Sequence, residues 1–517
     1  MTREPASGDT RSAGRGAVVL MVGTLASRLT GLLRNSLLNQ LFDARVTDAF
    51  TVAWRVPNLF RELLAEGALS NSFVPVYARL RASGEEAHRL AGALLSVLLL
   101  VNGVLVLAAT LAAPWIVQLL LGEAGSVDAD LAVRLTRAVF PFLFAVSLSA
   151  WAMGILQAEE RFFAPAWAPV AFNVVAVVGM VTLPGAAVPL AVAFALGGLA
   201  QFLVQIPTLS RAGLWPGVRV PWHPELAAVL LLMLPFAVTT SGRQVVNVVA
   251  TRVLDALPVG SQTAWFNADL FLSLALGLFA VSPALAWYAR LSRLAQEDPE
   301  AFGGTLLDGV RFIAFLSAPA GALLAALAEP ATRVVFDWTS LLGRGLDAER
   351  IALTVAASGP IGWAVVPLGL QQLLSRAWYV RGRVRVPIIV AVGFLTVQGA
   401  AFLVLGPRLG VAGLAWGAVA AAWLQLAVMF TWTLRREGVG LAGAVGHLAR
   451  VLLATLVGWL AASWGASWIV PADWWGWSLR LVVGGALGVA GYVAAAVALR
   501  LPELASVARR FTRRGED

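Results

Sequence analysis

The sequence predicts an all-α polytopic membrane protein, and three observations carry that prediction. Of 517 residues, 59% are hydrophobic and only 13% charged, against roughly 45–50% and about 25% in soluble domains. Apolar runs long enough to cross the hydrocarbon core, about 20 residues each, recur along the whole length. The runs are too long and too uniformly apolar for barrel strands, which would be about 10 residues with alternating polarity. This composition excludes an ordinary cytosolic enzyme, a disordered chain and a nucleic-acid-binding module. Cysteine is absent, which removes disulfides, thiolate metal sites and cysteine nucleophiles. His88, His223 and His447 are far apart in sequence and suggest no metal cluster. No cofactor is expected.

The elements follow in order. Residues 1–15 are polar and carry Arg3, Arg11 and Arg15 without the short apolar core and cleavage site of a secretory signal. They are expected to be a cytoplasmic tail. Spans are expected near 16–42, 47–78, 90–121, 131–157, 164–183, 188–210, 226–256, 261–289, 305–328, 351–380, 387–405, 410–434, 449–470 and 477–499, about fourteen helices. The net charge is +9 and every cation is arginine. With a cytoplasmic N-terminus, Arg79, Arg81, Arg89, Arg161, Arg211, Arg290, Arg293, Arg381, Arg383, Arg385, Arg435 and Arg436 all fall on the inside, as positive charge in short loops should. An even helix number also puts the C-terminus inside. The basic tail 501–517 then lies on anionic headgroups or in solvent. The longest outside connection, 329–350, suits a small loop or a surface helix.

The two halves echo each other. Ser27-Arg28 has a counterpart in Ser241-Gly242-Arg243, and Arg161 with Pro165 resembles Arg385 with Pro387. Gly197-Gly198 with Gln201 resembles Gly413 through Gly417 with Gln425. Equivalent elements are six helices apart, so the lobes would share one orientation. That is a parallel repeat, the form some transporters use to hold a substrate between lobes. The expected organisation is an N-lobe at 16–211, a C-lobe at 212–436 and two further helices at 437–500. Chance similarity in an Ala/Leu/Gly-rich chain is the alternative.

Charges out of place sit in the first two spans. Arg28 and Arg34 lie well inside the first, and a six-residue spacing puts their side chains about 120° apart around the helix. Both can border one broad cavity. The second span carries Asp48, Arg55, Arg61, Glu62 and Glu66, with Pro57-Asn58 among them. Pro57 removes a backbone donor and can bend the helix. An ionised side chain at the bilayer centre costs about 3 kcal/mol on insertion scales and more in simulations. These arginines must therefore face water, an acidic partner or an anionic substrate. Pairing accounts for some of them, yet Arg28, Arg34, Arg45, Arg55 and Arg61 outnumber Asp43, Asp48, Glu62 and Glu66. The excess predicts a cationic cavity. Asp43 and Arg45, near span ends, fit the interface as well. In the eighth span Asn267 and Asp269 add a lone acid, either a partner for an arginine or a proton or cation site.

Several blocks carry a resemblance. They are Ser27-Arg28-Leu-Thr-Gly31-Leu-Leu-Arg34; Asp48-Ala-Phe50, Pro57-Asn58-Leu-Phe-Arg61, Glu66-Gly67-Ala68 and Phe73-Val74-Pro75; Gly154-Ile-Leu-Gln157 with Arg161-Phe162, Pro165 and Asn173; and Gly197-Gly198-Leu-Ala-Gln201 with Gln205-Ile-Pro207. Over roughly residues 20–430 the chain resembles the lipid II flippases of the MurJ/MviN family, within the multidrug/oligosaccharidyl-lipid/polysaccharide exporter superfamily. The resemblance implies a transporter, not an enzyme. It would carry undecaprenyl-diphosphate-linked disaccharide-pentapeptide from the inner to the outer leaflet of the bacterial inner membrane by alternating access. The family's cavity arginines fall on Arg28, Arg34 and Arg61, its cavity acid on Asp48, a usually basic position on Arg55, and its EGA acid on Glu66. Asn58 belongs to the same block. An ion gradient or the membrane potential would drive the cycle. The implied partners are lipid II and membrane lipids, cell-wall synthesis proteins beside them, and no nucleic acid, with the chain a monomer.

The sequence departs from the family pattern in three places. Asn35 stands where the first-helix arginine is typically followed by Asp. The eighth helix reads Phe266-Asn267-Ala-Asp269-Leu270 where YADR is usual, so the acid stays and the arginine goes. Gly382-Arg383-Val-Arg385-Val-Pro387 replaces GDTRTP. The loss at Leu270 keeps two alternatives open: an exporter of another polyprenyl-diphosphate-linked glycan, or a flippase-derived scaffold in cell-wall assembly. Arg243, in the adjacent span, is the candidate substitute cation.

Overall fold

The computed structural model describes residues 7–63, 69–122, 125–216, 222–298, 300–343, 345–437 and 441–504, with no strand among them. The chain divides into two compact units, Met1–Thr251 and Arg252–Asp517. The first holds α1 (Ser7–Leu41), α2 (Ala44–Leu63), α3 (Leu69–Leu80), α4 (Glu85–Leu111), α5 (Ala113–Leu120), α6 (Ala129–Val139), α7 (Pro141–Ala158), α8 (Phe163–Thr182), α9 (Ala187–Leu203), α10 (Ile206–Arg211) and most of α11 (Pro224–Asp255). The second holds the end of α11, then α12 (Ser261–Leu276), α13 (Ser282–Glu297), α14 (Ala301–Ala326), α15 (Ala328–Phe336), α16 (Ala348–Ile361), α17 (Val365–Val380), α18 (Arg385–Arg436), α19 (Leu441–Ser467) and α20 (Trp474–Ala498).

Many of the apolar runs fold as interrupted helices, and proline or glycine marks the interruptions. Pro114 opens α5 and Pro141 opens α7, each at a first-turn position where its missing N–H costs nothing. A π-helical turn, Gly277–Val281, precedes Pro283 in α13. A 3-10 turn, Gly362–Ala364, follows Pro360 and separates α16 from α17. The 52-residue α18 contains one non-helical residue, Gly410, at φ 63° and ψ −146°. A side chain there would be strained, so this glycine divides α18 into the two pieces that the sequence places at 387–405 and 410–434. Polar caps start other helices. Asp43 Oδ1 accepts from the Val46 N–H at 2.9 Å, and Asp128 does the same for Leu131 at 2.8 Å.

Ten helical segments among the described residues are long and apolar enough to cross a membrane, α18 counted as one. The expected spans at 16–42, 47–78 and 226–256 coincide with α1, α2 with α3, and α11, which carry the charges of the next section. On α4, Leu100, Val104, Leu107 and Leu111 recur at helical spacing and are all exposed. In water such a stripe would aggregate; here it is a face for lipid. The segment 329–350, expected as a loop or a surface helix, contains most of the short helix α15, whose Pro330, Thr332 and Phe336 are buried.

Each unit has its own interior. Phe73, Tyr77, Leu90, Leu94 and Trp151 are fully buried in the first, and the Trp151 indole N–H donates to the Ala91 carbonyl at 2.9 Å. In the second, Leu306, Ile313, Leu370, Leu373 and Met429 pack together. There the Trp378 indole donates to Thr433 Oγ1 at 2.8 Å and the Tyr492 hydroxyl to the Phe315 carbonyl at 2.8 Å. Buried donors without such acceptors would cost free energy in so apolar a setting. Arginines of the connecting segments are ion-paired, Arg79 with Glu225 at 3.1 Å, Arg81 with Glu159 at 3.0 Å and Arg381 with Glu437 at 2.8 Å.

Helix α1 lies against α8, and Gly23 permits the approach. A Cβ at position 23 would stand 2.6 Å from the Ala166 carbonyl oxygen. Gly23→Val should therefore push α1 off α8 at a cost of roughly 1–3 kcal/mol. The expected outcome is a lower melting temperature of the detergent-solubilised protein; an unchanged one would mean that α1 does not pack this closely.

Candidate functional site

The first unit gathers most of the residues singled out by charge. Arg28 and Arg34 are half-buried on α1. Asp48, on α2, is 1% exposed and engaged by neighbours. Arg55, Asn58 and Arg61 follow on α2, all half-buried. Asp43 caps α2 and Arg45 is exposed. Glu66 lies outside the described residues. Arg243 is exposed on α11. Asp269, exposed on α12 next to a buried Asn267, belongs to the second unit.

Arg34 is the most completely defined of these. Its Nε and Nη2 donate to Asn35 Oδ1 at 3.2 and 3.0 Å, and its Nη1 donates to Asn173 Oδ1 at 3.0 Å. The guanidinium lies over two rings, Phe172 at 5.1 Å and Phe194 at 5.3 Å from their centroids. Its charge is therefore stabilised by amide oxygens and by the negative faces of aromatic rings. The charged neighbour that acts on it is another cation, Arg61. Arg61 in turn donates from Nε to Asn58 Oδ1 at 3.0 Å, one turn back on α2.

The rings under Arg34 form one cluster drawn from α2, α7, α8 and α9. Phe50 meets Phe194 at 4.6 Å between centroids, Trp54 meets Phe142 at 4.7 Å and Phe194 at 5.1 Å, and Phe172 meets Phe142 at 5.6 Å. Edge-to-face and tilted pairs of this kind add to what their buried area contributes. Sequence reasoning missed this cluster. Five aromatic residues spread over four apolar runs look like ordinary membrane-span composition, and only the packing makes them a floor. Asn35 and Asn173 were visible in the sequence, one as a departure from the family pattern and the other as a motif member, but nothing showed that both point at Arg34.

This arrangement can bind an anion. Arg34 is held in place by neutral acceptors with a second cation, Arg61, acting on it, and Asn58 is among the groups that engage Arg61. An anion that touches both removes the repulsion and gains charge-assisted hydrogen bonds. The aromatic floor fixes where Arg34 sits. Trp54→Ala should cost roughly 3–5 kcal/mol, read as a marked fall in melting temperature; a melting temperature like that of the parent chain would show that the cluster does not support the site.

Comparisons with known proteins show the family. The family described as "Lipid II flippase MurJ" matches residues 38–483. The chain is 32% identical to the lipid II flippase MurJ of Burkholderia cenocepacia over 435 residues, covering 80% of this chain and 82% of that protein. It is 33% identical to the probable lipid II flippase MurJ of Bdellovibrio bacteriovorus, covering 83% of each. Among solved structures, "Lipid II flippase MurJ, inward closed conformation" superposes with a TM-score of 0.76 at 21% identity, over 93% of this chain and 99% of that one. An inward-facing multidrug-resistance transporter of the MATE family, in the MOP superfamily, superposes with a TM-score of 0.66 at 17% identity, over 82% of this chain. At these identities the two superpositions speak for the fold, and the sequence matches speak for descent. Multi-pass helical architecture, a motif-bearing first pair of helices and a match over most of its length place this chain in the lipid II flippase MurJ family.

Proposed function

We propose that this chain is a flippase that carries lipid II, the undecaprenyl-diphosphate-linked disaccharide-pentapeptide, from the inner to the outer leaflet of the cytoplasmic membrane. It is a transporter and not an enzyme: no bond of the substrate is made or broken. The observation that carries the proposal is the cationic pair Arg34 and Arg61, held by amide oxygens inside an apolar unit. The family supplies the ligand that such a pair fits, a diphosphate.

The physical problem is the headgroup. A diphosphate cannot leave water for about 30 Å of hydrocarbon unaided. Arg28, Arg34, Arg55 and Arg61 replace its hydration with charge-assisted bonds, while the polyprenyl chain stays in lipid. Asn58 orients Arg61, and Asp48 and Glu66 counter part of the positive charge in the empty state. Alternation between inward- and outward-open forms of the lobes, 16–211 and 212–436, completes the transfer, with helices of 437–500 outside the repeat and the basic tail 501–517 at the cytoplasmic surface. Asp269 and Arg243 complete the polar lining, Arg243 in place of the arginine missing at Leu270. An ion gradient or the membrane potential resets the cycle. The chain works as a monomer with fourteen spans and both termini in the cytoplasm, alongside proteins of cell-wall synthesis.

Two measurements test this. In proteoliposomes with a fluorescent lipid II, Arg34→Gln and Arg61→Gln should each lower translocation at least tenfold, since each removes a charged contact of about 1.5–3 kcal/mol; rates like the parent's would remove the site. In a strain depleted of its own flippase, the parent chain should restore growth and Arg243→Ala should not. Growth with Arg243→Ala would remove Arg243 from the site. Failure of the parent chain would favour an exporter of another polyprenyl-diphosphate-linked glycan, the reading that Leu270 supports.

A further inference from the structure

Asn173, on α8, makes every bond its side chain can offer as a donor. Its Nδ2 donates to the Ser27 carbonyl at 3.1 Å and to Thr30 Oγ1 at 3.1 Å, and its Oδ1 accepts from Arg34 Nη1 at 3.0 Å. Residues 27, 30 and 34 lie on one face of α1, at helical spacing, so one side chain fixes the register of α1 on α8 over two turns. The bonding also fixes the orientation of the amide. Turned over, it would put an NH2 group against a guanidinium and its oxygen against a carbonyl. Asn35 is 3% exposed and presents its oxygen to Nε and Nη2 of the same guanidinium.

Counting donors shows what remains. A guanidinium has five N–H bonds. Two go to Asn35 and one to Asn173, leaving one on each terminal nitrogen. Among the described residues no carboxylate contacts Arg34, and both rings beneath it are uncharged. A carboxylate in place of the Asn173 amide would accept the same bond from Arg34 and cancel its charge. An amide oxygen orients without cancelling.

We infer that Asn173 and Asn35 are positioning residues that hold Arg34 as an uncompensated cation, with one N–H on each terminal nitrogen available to two oxygens of a single phosphate group. The inference rests on the flippase reading and deepens it. It assigns the strength of the site to the neutrality of its clamp. Asn173→Asp, nearly the same size and able to accept the same bond, is then more damaging to anion binding than to the fold.

The test uses the full chain in detergent and farnesyl diphosphate as a soluble prenyl-diphosphate probe, with affinity measured across a range of NaCl concentrations and melting temperature measured alongside. The parent chain should bind the probe with an affinity that falls as salt rises. Asn173→Asp should weaken binding at least tenfold and flatten that salt dependence; it loses both Nδ2 bonds to α1, so its melting temperature should fall, but by less than that of Asn173→Ala, because the new carboxylate pairs with Arg34. Asn173→Ala should lower the melting temperature, because α1 and α8 lose their bridge. Parent-like affinity and salt dependence in Asn173→Asp would overturn the neutral clamp and leave the flippase reading standing. Equal losses of melting temperature in Asn173→Asp and Asn173→Ala, with the salt dependence unchanged, would reduce Asn173 to a structural bridge. A parent chain that binds no farnesyl diphosphate would overturn both.

Discussion

A guanidinium at membrane depth has to be stabilised and kept charged at once, and the first unit is arranged around that conflict. Desolvation penalises the ion. The usual remedy, a buried carboxylate, would cancel the charge that a substrate needs. Arg34 is stabilised instead by three hydrogen bonds to two amide oxygens and by two aromatic faces. Each of these acceptors is fixed by something else. Asn173 is tied to Ser27 and Thr30, and Phe172 and Phe194 are held by Trp54, Phe50 and Phe142. The close packing of α1 on α8 at Gly23 brings Asn173 within reach. Packing and hydrogen bonding converge on one side chain.

The second unit has a different emphasis. Its buried polar groups include a Trp378–Thr433 bond and a Tyr492–Phe315 bond, and Arg293, Arg311, Arg333 and Arg381 are each answered by an acid, Arg381 by Glu437. Asp269 is exposed, and position 270, where the family pattern has arginine, is leucine. The cationic character of the proposed site thus rests on α1 and α2, with Arg243 of α11 added to them. Asymmetry of this kind fits a headgroup whose charge is concentrated in one diphosphate, with the sugar and peptide parts left to uncharged contacts.

How much of this was legible in the chain depends on the length scale. Long apolar runs announced helices, but the starts at Pro114 and Pro141, inside runs expected as single spans at 90–121 and 131–157, and the caps at Asp43 and Asp128 were settled by the structure. Charges inside apolar runs announced the site, because burial of an unpaired ion is costly wherever it occurs. The division of α18 was legible as two spans, 387–405 and 410–434, whereas the part of Gly410 in it and the π turn before Pro283 were weaker signals. A glycine in a Gly-rich membrane chain looks the same whether it bends the backbone or lies in a straight helix.

By itself, then, the sequence determined the class of fold, the cationic helices and the family, since these follow from hydropathy, charge and local motifs. Tertiary structure alone decided which neutral groups hold the cation. Asn35 is adjacent to Arg34 in sequence, but Asn173, Phe172 and Phe194 are far from it along the chain. Their meeting depends on how α1, α8 and α9 pack, and hydrogen-bond direction and ring orientation have no periodic signature in a sequence. The charge could be counted in advance; whether it is cancelled or preserved is a matter of which atom faces it at 3.0 Å.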